Sequence, residues 1–356
     1  MPRARPAYPG RLSLDLPDLP HLLIMIVMRT SLHLSSARSA PRPAAPGRRS
    51  VLAAGLVAPL ALALSACGAQ AGSDRPLVVV SCYGIEYAAR LVAGDAAEVA
   101  SLAKPGQEPH DLELSVSEIA GLEKADVIIR IPGFQTALDE AITARGLEDR
   151  VLDVSTVVTL LPVEEHAEDH GGEETGEDGH EGHDHGGLDP HMWTDPTLLA
   201  ALATALGEHL GAVAPEEKET FTASAAEAVR LLEELDAELQ QTFGAVEGEK
   251  VFVTSHTAFG YLAQRYGLEQ IGISGIDPEV EPSPQRLLEL QQVISERGVT
   301  TVFFEESASP KVAETLARNV GVSSASLDNL ETQLDPDADY AEVMRADADK
   351  LIASWQ

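Results

Sequence analysis

Three histidines stand in local sequences suited to metal capture. His110 lies in Lys104-Pro105-Gly106-Gln107-Glu108-Pro109-His110-Asp111, and His191 in Asp189-Pro190-His191-Met192-Trp193-Thr194-Asp195-Pro196. His256 lies in Thr254-Ser255-His256-Thr257-Ala258-Phe259. Each is expected at a turn where a strand gives way to a helix. Neutral imidazole is a common zinc ligand, and zinc prefers four ligands in a tetrahedron. The neighbouring prolines stiffen the first two turns, so those imidazoles would lose less entropy on binding. A carboxylate from the C-terminal part of the chain would complete the set. Asp328 follows the strand-like run Ser324 to Leu327, while Glu305 and Glu306 end the preceding strand and compete with it. An Asx turn or a helix N-cap is the rival role for Asp328. A single loop histidine is more often a surface or capping residue than a ligand. Three at strand ends outweigh that reading, whereas His209, on an amphipathic helical stretch, keeps it.

The surrounding pattern supplies the elements that must position these side chains. Leu77 to Ser81 is apolar and β-branched, as a buried parallel strand requires. Helical and strand-like runs then alternate: helix Ile85–Val92, strand Glu98–Leu102, helix Ser115–Lys124 with Ser115 as N-cap, strand Asp126–Ile131, helix Thr136–Arg145 and strand Val151–Val154. From Pro215 to Gly244 runs the longest helical pattern, with Phe221, Ala225, Ala228, Leu232, Leu235 and Leu239 at helical spacing. The alternation resumes with strands at 251–254, 270–274, 301–304 and 324–327, and helices at 257–266, 283–297, 311–320 and 340–354. The expected fold is therefore α/β. Two βα-repeat lobes with mainly parallel sheets, residues 75–214 and 245–356, are joined by a connecting helix at 215–244. Ligands of open α/β sheets gather at the carboxyl ends of the strands, which places a metal site in the cleft between lobes.

Between the lobes' elements, residues 164–187 hold five histidines and ten carboxylates and almost nothing apolar. Such a stretch is expected to stay solvated and disordered. His166, His170, His180, His183 and His185 within it are candidates for loose secondary metal sites, or belong to a mere spacer.

The net charge of −32 excludes nucleic acid as a natural partner. The charge is uneven, because residues 1–66 hold eight basic and only two acidic residues. Arg48-Arg49-Ser50, the apolar run Val51 to Leu64 and then Leu64-Ser65-Ala66-Cys67 have the build of a secretory signal peptide. Fourteen apolar residues are too few for a permanent span, which needs about 20. Residues 1–66 are thus a leader, of which 1–27 is superfluous if the chain starts at Met28, and residues 67–74 form a small, polar tether. The paired arginines suit a twin-arginine signal but also an ordinary secretory one. The only other cysteine is Cys82, so no disulfide framework is available.

Several motifs together resemble one family. Pro109-His110-Asp111-Leu112-Glu113, Asp189 to Pro196, the run from His256 to Leu268, and Ser309 to Ala317 look like the zinc/manganese solute-binding proteins of ABC importers. Leu-Ser-Ala-Cys likewise resembles a bacterial lipobox, with acylation of Cys67 at the mature N-terminus. The resemblance covers residues 77 to about 353. It implies two α/β lobes joined by a rigid helix, and metal ligands at His110, His191, His256 and Asp328. The family's Asp-Pro-Leu-Gly near the last ligand is here Asp328-Asn329-Leu330-Glu331, and its Glu-Pro after the first is Glu113-Leu114. A histidine at the third position goes with zinc, as nitrogen-rich ligation also favours.

The expected function is extracytoplasmic capture of Zn2+ by a lipid-anchored monomer that delivers it to an ABC permease. A zinc chaperone or buffer shares the same sequence features. A zinc hydrolase would need an open coordination position, a general base and a substrate pocket, and only Glu108 and Glu113 lie near in sequence.

Overall fold

The run Leu77-Val78-Val79-Val80 forms β1 (Leu77–Val80), whose last three residues are buried. Around it, β2 (Glu98–Ser101), β3 (Val127–Arg130) and β4 (Val151–Asp153) complete a parallel sheet of order β2-β1-β3-β4. The second sheet repeats this plan. It contains β5 (Val251–Thr254), β6 (Glu269–Gly272), β7 (Thr301–Glu305) and β8 (Ser323–Leu327), all parallel, in the order β6-β5-β7-β8. The computed structural model describes residues 75–105, 107–163, 187–305 and 309–356. Cys67, the leader, the five histidines between 166 and 185, and Glu306 lie outside them.

In each sheet the strand order reverses beside its first strand, between β1 and β3 and between β5 and β7. That is where the carboxyl ends of an open α/β sheet leave a crevice. Crossover helices cover the faces: α1 (Tyr83–Ala93), α2 (Val116–Leu122) and α3 (Thr136–Arg145) in the first lobe, α6 (Gly260–Tyr266), α7 (Pro284–Arg297) and α8 (Lys311–Val320) in the second. Ser115 caps α2 through a reciprocal capping box with Glu118. Several expected boundaries move by one to three residues, and one of these shifts bears on the site. The helix foreseen from Thr257 starts only at Gly260, because the His256 carbonyl already accepts from Thr254 Oγ1 at 2.7 Å and from Gln270 Nε2 at 3.1 Å. Phe259 N–H donates to Gln270 Oε1, so residues 256–259 form a turn tied to β6.

After β4 come α4 (Pro196–Val213), started by Asp195 as N-cap, and α5 (Lys218–Gly244). α4 is apolar and long enough to cross a membrane, but half of it is buried in the protein core. The face of α5 expected to be apolar is the one that is buried. It packs on α1 and α4 from one side of the molecule and on α6 and α9 (Tyr340–Ser354) from the other. Asp236 is the polar exception on this face. It accepts from Arg265 Nε at 2.8 Å and Nη2 at 2.6 Å, from Gln240 Nε2 at 3.0 Å and from Tyr266 O–H at 3.2 Å. Such a fully partnered carboxylate fixes α6 on α5 in one orientation. The largest apolar core therefore runs continuously from the first sheet through α4 and α5 to α6 and α9. A separate core lies between the second sheet and α7 and α8.

The lobes also touch through the segment after β8. Tyr83 N–H donates to Glu331 O at 2.8 Å and Gly84 N–H to Leu330 O at 2.9 Å. Trp193 Nε1 donates to Asn329 O at 2.8 Å, and Tyr340 O–H to Trp193 O at 2.6 Å. Gly84 must lack a side chain, since a Cβ there would lie 2.5 Å from Trp193 Cβ. Gly84→Ala should accordingly destabilise the protein by about 1–3 kcal/mol through overpacking. Gly121→Ala, in α2 with nothing within 4 Å of the added carbon, should instead be neutral or stabilising by up to about 1 kcal/mol. Thermal unfolding of the two variants side by side checks this contrast.

Candidate metal centre

Four side chains from four separate turns meet at the crevice between the lobes. His110 comes from the loop after β2, and His191 from the turn that leads through a short 3-10 stretch into α4. His256 follows β5, and Glu331 follows β8. Among the described residues these four form the group whose ligand atoms lie close enough to hold one metal ion, all within 4.8 Å of one another.

Glu331 Oε1 stands close to Nε2 of all three histidines. His110 Nε2 and His191 Nε2 are 3.2 Å apart. Glu331 Oε1 lies 3.5 Å from His110 Nε2, 3.3 Å from His191 Nε2 and 3.6 Å from His256 Nε2. Zinc bonds of about 2.1 Å place neighbouring tetrahedral ligand atoms about 3.4 Å apart. These four spacings are close to that value, and the whole set lies within 4.8 Å. All four residues are buried, Glu331 and His191 completely. Both oxygens of Glu331 and Nε2 of His256 lack a hydrogen-bond partner. Buried polar atoms in that condition are costly unless a cation satisfies them.

Carboxylates behind the imidazoles set their orientation. Asp189 Oδ1 lies 2.8 Å from His191 Nδ1 and also accepts from His191 N–H at 2.9 Å. Glu305 Oε1 lies 3.2 Å from His256 Nδ1 and accepts from His256 N–H at 3.3 Å. Partners of this kind turn Nε2 toward the centre and raise its basicity. Behind His110, Gln135 Nε2 donates to Pro109 O at 3.0 Å and to Ser81 O at 3.1 Å, which joins the His110 turn to the end of β1. Glu108 Oε1 accepts from His110 N–H, and burial together with the nearby Glu331 pushes its carboxyl up to about 9.

The histidines split electrostatically. Burial pushes His110 down to about 4, so its ring is neutral at physiological pH. Burial also opposes charge on His191 and His256, but Asp189 and Glu305 respectively, with Glu331, raise both. Burial pushes Glu331 up, yet the three histidines hold it well below the usual carboxylate range.

The fourth position differs from the sequence expectation. Asp328 stands three residues before the carboxylate that joins the histidines. Its Oδ1 accepts from Leu330 N–H at 2.8 Å, the Asx turn that was its rival role, and its own N–H donates to Asp347 Oδ2 at 2.9 Å. That turn lets Leu330 take φ 60°, a left-handed conformation rare for a branched residue. The chain reverses there and carries Glu331 inward. Glu305 also lies at the site, but behind His256 rather than beside the other ligand atoms. His209 is on α4, outside the group. No local feature of Asp328-Asn329-Leu330-Glu331 separates the two acids. Only the course of the turn does.

Comparison with known proteins points to zinc-uptake proteins. The family model of the periplasmic zinc-uptake complex component A matches residues 78–354. The zinc-binding lipoprotein AdcA of Streptococcus pneumoniae is 34% identical over 291 residues, which is 79% of this chain and 56% of AdcA. The chain thus spans a little over half the length of that relative. The high-affinity zinc uptake system protein ZnuA of Bacillus subtilis is 30% identical over 309 residues, 83% of this chain and 95% of the relative. The crystal structure of AdcAII from Streptococcus pneumoniae superposes with a TM-score of 0.67 at 31% identity, covering 79% of this chain and all of AdcAII.

A metal needs unprotonated ligand atoms. Asp189, Glu305 and Glu331 raise His191 and His256 in the metal-free site, so protons compete with a metal there more strongly than at a free imidazole. Zinc binding at pH 7 should release protons, measurable by titration calorimetry in buffers of different ionisation enthalpy. Affinity should rise with pH by about tenfold per unit for each proton displaced, and level off above the raised histidine values.

Proposed function

Because the chain belongs to the zinc-uptake component A family of solute-binding proteins, we propose that it captures Zn2+ outside the cell membrane and delivers it to an ABC-type importer. The observation that carries this reading is the buried set of three imidazoles and one carboxylate within 4.8 Å of one another. We assign His110, His191, His256 and Glu331 as the ligands. Three nitrogens and one oxygen favour zinc over manganese. The names of the similar proteins, a zinc-binding lipoprotein for AdcA and a high-affinity zinc uptake system protein for ZnuA, support the same cargo.

The arrangement favours carriage over catalysis. Four protein ligands fill a tetrahedral zinc and leave no position for a reactive water, which a hydrolase requires. Glu108, the nearby carboxyl pushed up to about 9, is expected to be protonated at neutral pH and is a poor general base. The ordering carboxylates Asp189 and Glu305 keep Nε2 of two histidines aimed inward before the ion arrives, which reduces the cost of binding. A proton load on those same histidines provides a route for release, because returning protons compete with the metal.

The remaining parts of the reading concern delivery. Acylation of Cys67 would hold a monomer at the outer face of the membrane, within reach of its permease. The histidines at 166, 170, 180, 183 and 185 would bind further zinc weakly and raise its concentration near the cleft.

Two experiments test these assignments. In zinc titration against a competing chelator, Glu331→Gln should weaken the tight site roughly hundredfold, about a quarter of the total for such a site. Asp328→Asn keeps the acceptor oxygen of its turn and should stay within about threefold of the parent protein. A large loss for Asp328→Asn with none for Glu331→Gln would restore Asp328 as ligand. Cys67→Ala should move the protein from the membrane to the soluble fraction in cell fractionation. Retention of a processed Cys67→Ala protein in the membrane would exclude the lipid anchor.

A further inference from the structure

We propose that Gly260 and Tyr261, at the start of α6 in the second lobe, are positioning residues for His191 and act across the lobe boundary through Asp189. The proposal rests on the reading of His191 as a zinc ligand and adds a requirement to it.

Tyr261 is 2% exposed. Its hydroxyl donates to Asp189 O at 2.6 Å and accepts from Leu161 N–H at 2.8 Å. Leu161 and Asp189 already share one backbone bond, from Asp189 N–H to Leu161 O at 2.8 Å. Beyond them Pro162 and Leu188 form an antiparallel bridge. In an antiparallel pair the two residues normally exchange a second N–H···O bond directly. Here the tyrosine hydroxyl stands in its place, accepting from one strand and donating to the other. A side chain of the second lobe thus completes a ladder of the first.

The same helix end also approaches the Asp189 side chain. A Cβ on Gly260 would come within 2.8 Å of Asp189 Oδ2. Asp189 is thereby bounded on its backbone oxygen by Tyr261 and on its outer carboxylate oxygen by Gly260. The inner oxygen, Oδ1, lies 2.8 Å from His191 Nδ1 and accepts from His191 N–H. The chain of contacts runs from α6 through Asp189 to the imidazole, by hydrogen-bond distance at Tyr261 and at His191. Arg265 and Tyr266 fix α6 on α5 through Asp236, so the helix is itself a firm reference. Docking of α6 would complete the aim of a ligand that belongs to the other lobe. Metal affinity and lobe contact are then linked through Tyr261, independently of the ligand that the second lobe itself supplies, His256.

Tyr261→Phe keeps the ring and its packing and removes only the hydroxyl, leaving Leu161 N–H and Asp189 O without their partner. Gly260→Ala keeps every hydrogen bond and crowds Asp189 Oδ2. Zinc affinity should be measured by chelator competition for both variants, for Asp189→Asn, and for the double variant Tyr261→Phe/Asp189→Asn. Metal-free thermal unfolding should be recorded for each. We expect Tyr261→Phe and Gly260→Ala each to lower affinity about tenfold. The double variant should bind no more weakly than Asp189→Asn alone, because both changes act on the same link. X-ray absorption of the zinc-loaded Tyr261→Phe protein should show fewer ordered imidazoles than the parent. A purely structural role would lower the metal-free unfolding temperature with affinity within twofold of the parent, and would overturn the proposal. So would losses that multiply in the double variant. Should Tyr261→Phe fail to fold, Gly260→Ala paired with Asp189→Asn carries the same test. A parent protein without a tight zinc site would instead refute the functional reading itself.

Discussion

A carboxylate sealed from water among three imidazoles is the constraint on which the rest of this molecule depends. Glu331 and His191 are wholly buried, with His256 and His110 nearly so. Concentrating four such groups within 4.8 Å without water to solvate them is unfavourable unless charge is balanced at the centre. A divalent cation provides that balance, and the ligand spacing matches what zinc requires. Without it the three histidines still hold Glu331 well below the usual carboxylate range, and Asp189 and Glu305 in turn raise two of them. Proton and metal are therefore alternative counterions to the same buried carboxylates.

Much of the fold can be understood as support for this arrangement. The two switch points bring the carboxyl ends of β1, β3, β5 and β7 to a common crevice. Gly84 admits Trp193, Trp193 holds Asn329, and Gly84 and Tyr83 hold Leu330 and Glu331 by their backbones. The left-handed Leu330 costs conformational energy that these bonds and the Asp328 turn offset. Although Glu331 follows the last strand of the second sheet, its backbone is bonded to the first lobe. The lobes thus interlock at the candidate metal centre, with α5 and α9 spanning them behind.

On the proposed zinc-delivery function, this interlocking changes how release should be pictured. Hinge motion is often assigned to two bodies that meet only through ligand and linker. Here the segment Asp189 to Thr194 is gripped from the second lobe by Tyr261, Asn329 and Tyr340, so parting the lobes would break buried hydrogen bonds as well as metal bonds. Protonation of the imidazoles acts on the same centre without requiring that separation. The balance between the two routes lies in how firmly α6 holds Asp189.

The sequence by itself determined the repeating α/β plan, the long helix and three of the four residues at the centre. Each of these rests on local signals: β-branched runs, the apolar stripe of α5 from Phe221 to Leu239, and histidines beside proline at strand ends. Helix starts were legible where a side-chain cap is adjacent, as at Ser115, and not where the deciding partner is distant. Gln270, fourteen residues from His256 in sequence, delays α6 to Gly260. The fourth member of the cluster was decided by tertiary structure alone. Asp328 and Glu331 are chemically similar acids three residues apart, and which one faces the histidines depends on the left-handed turn at Leu330. That turn is stable because Gly84, more than two hundred residues away, offers its N–H, and because Trp193 occupies the space a side chain on Gly84 would fill. Contacts over such separations leave no periodicity in a single chain, so only the folded molecule could choose between the two carboxylates.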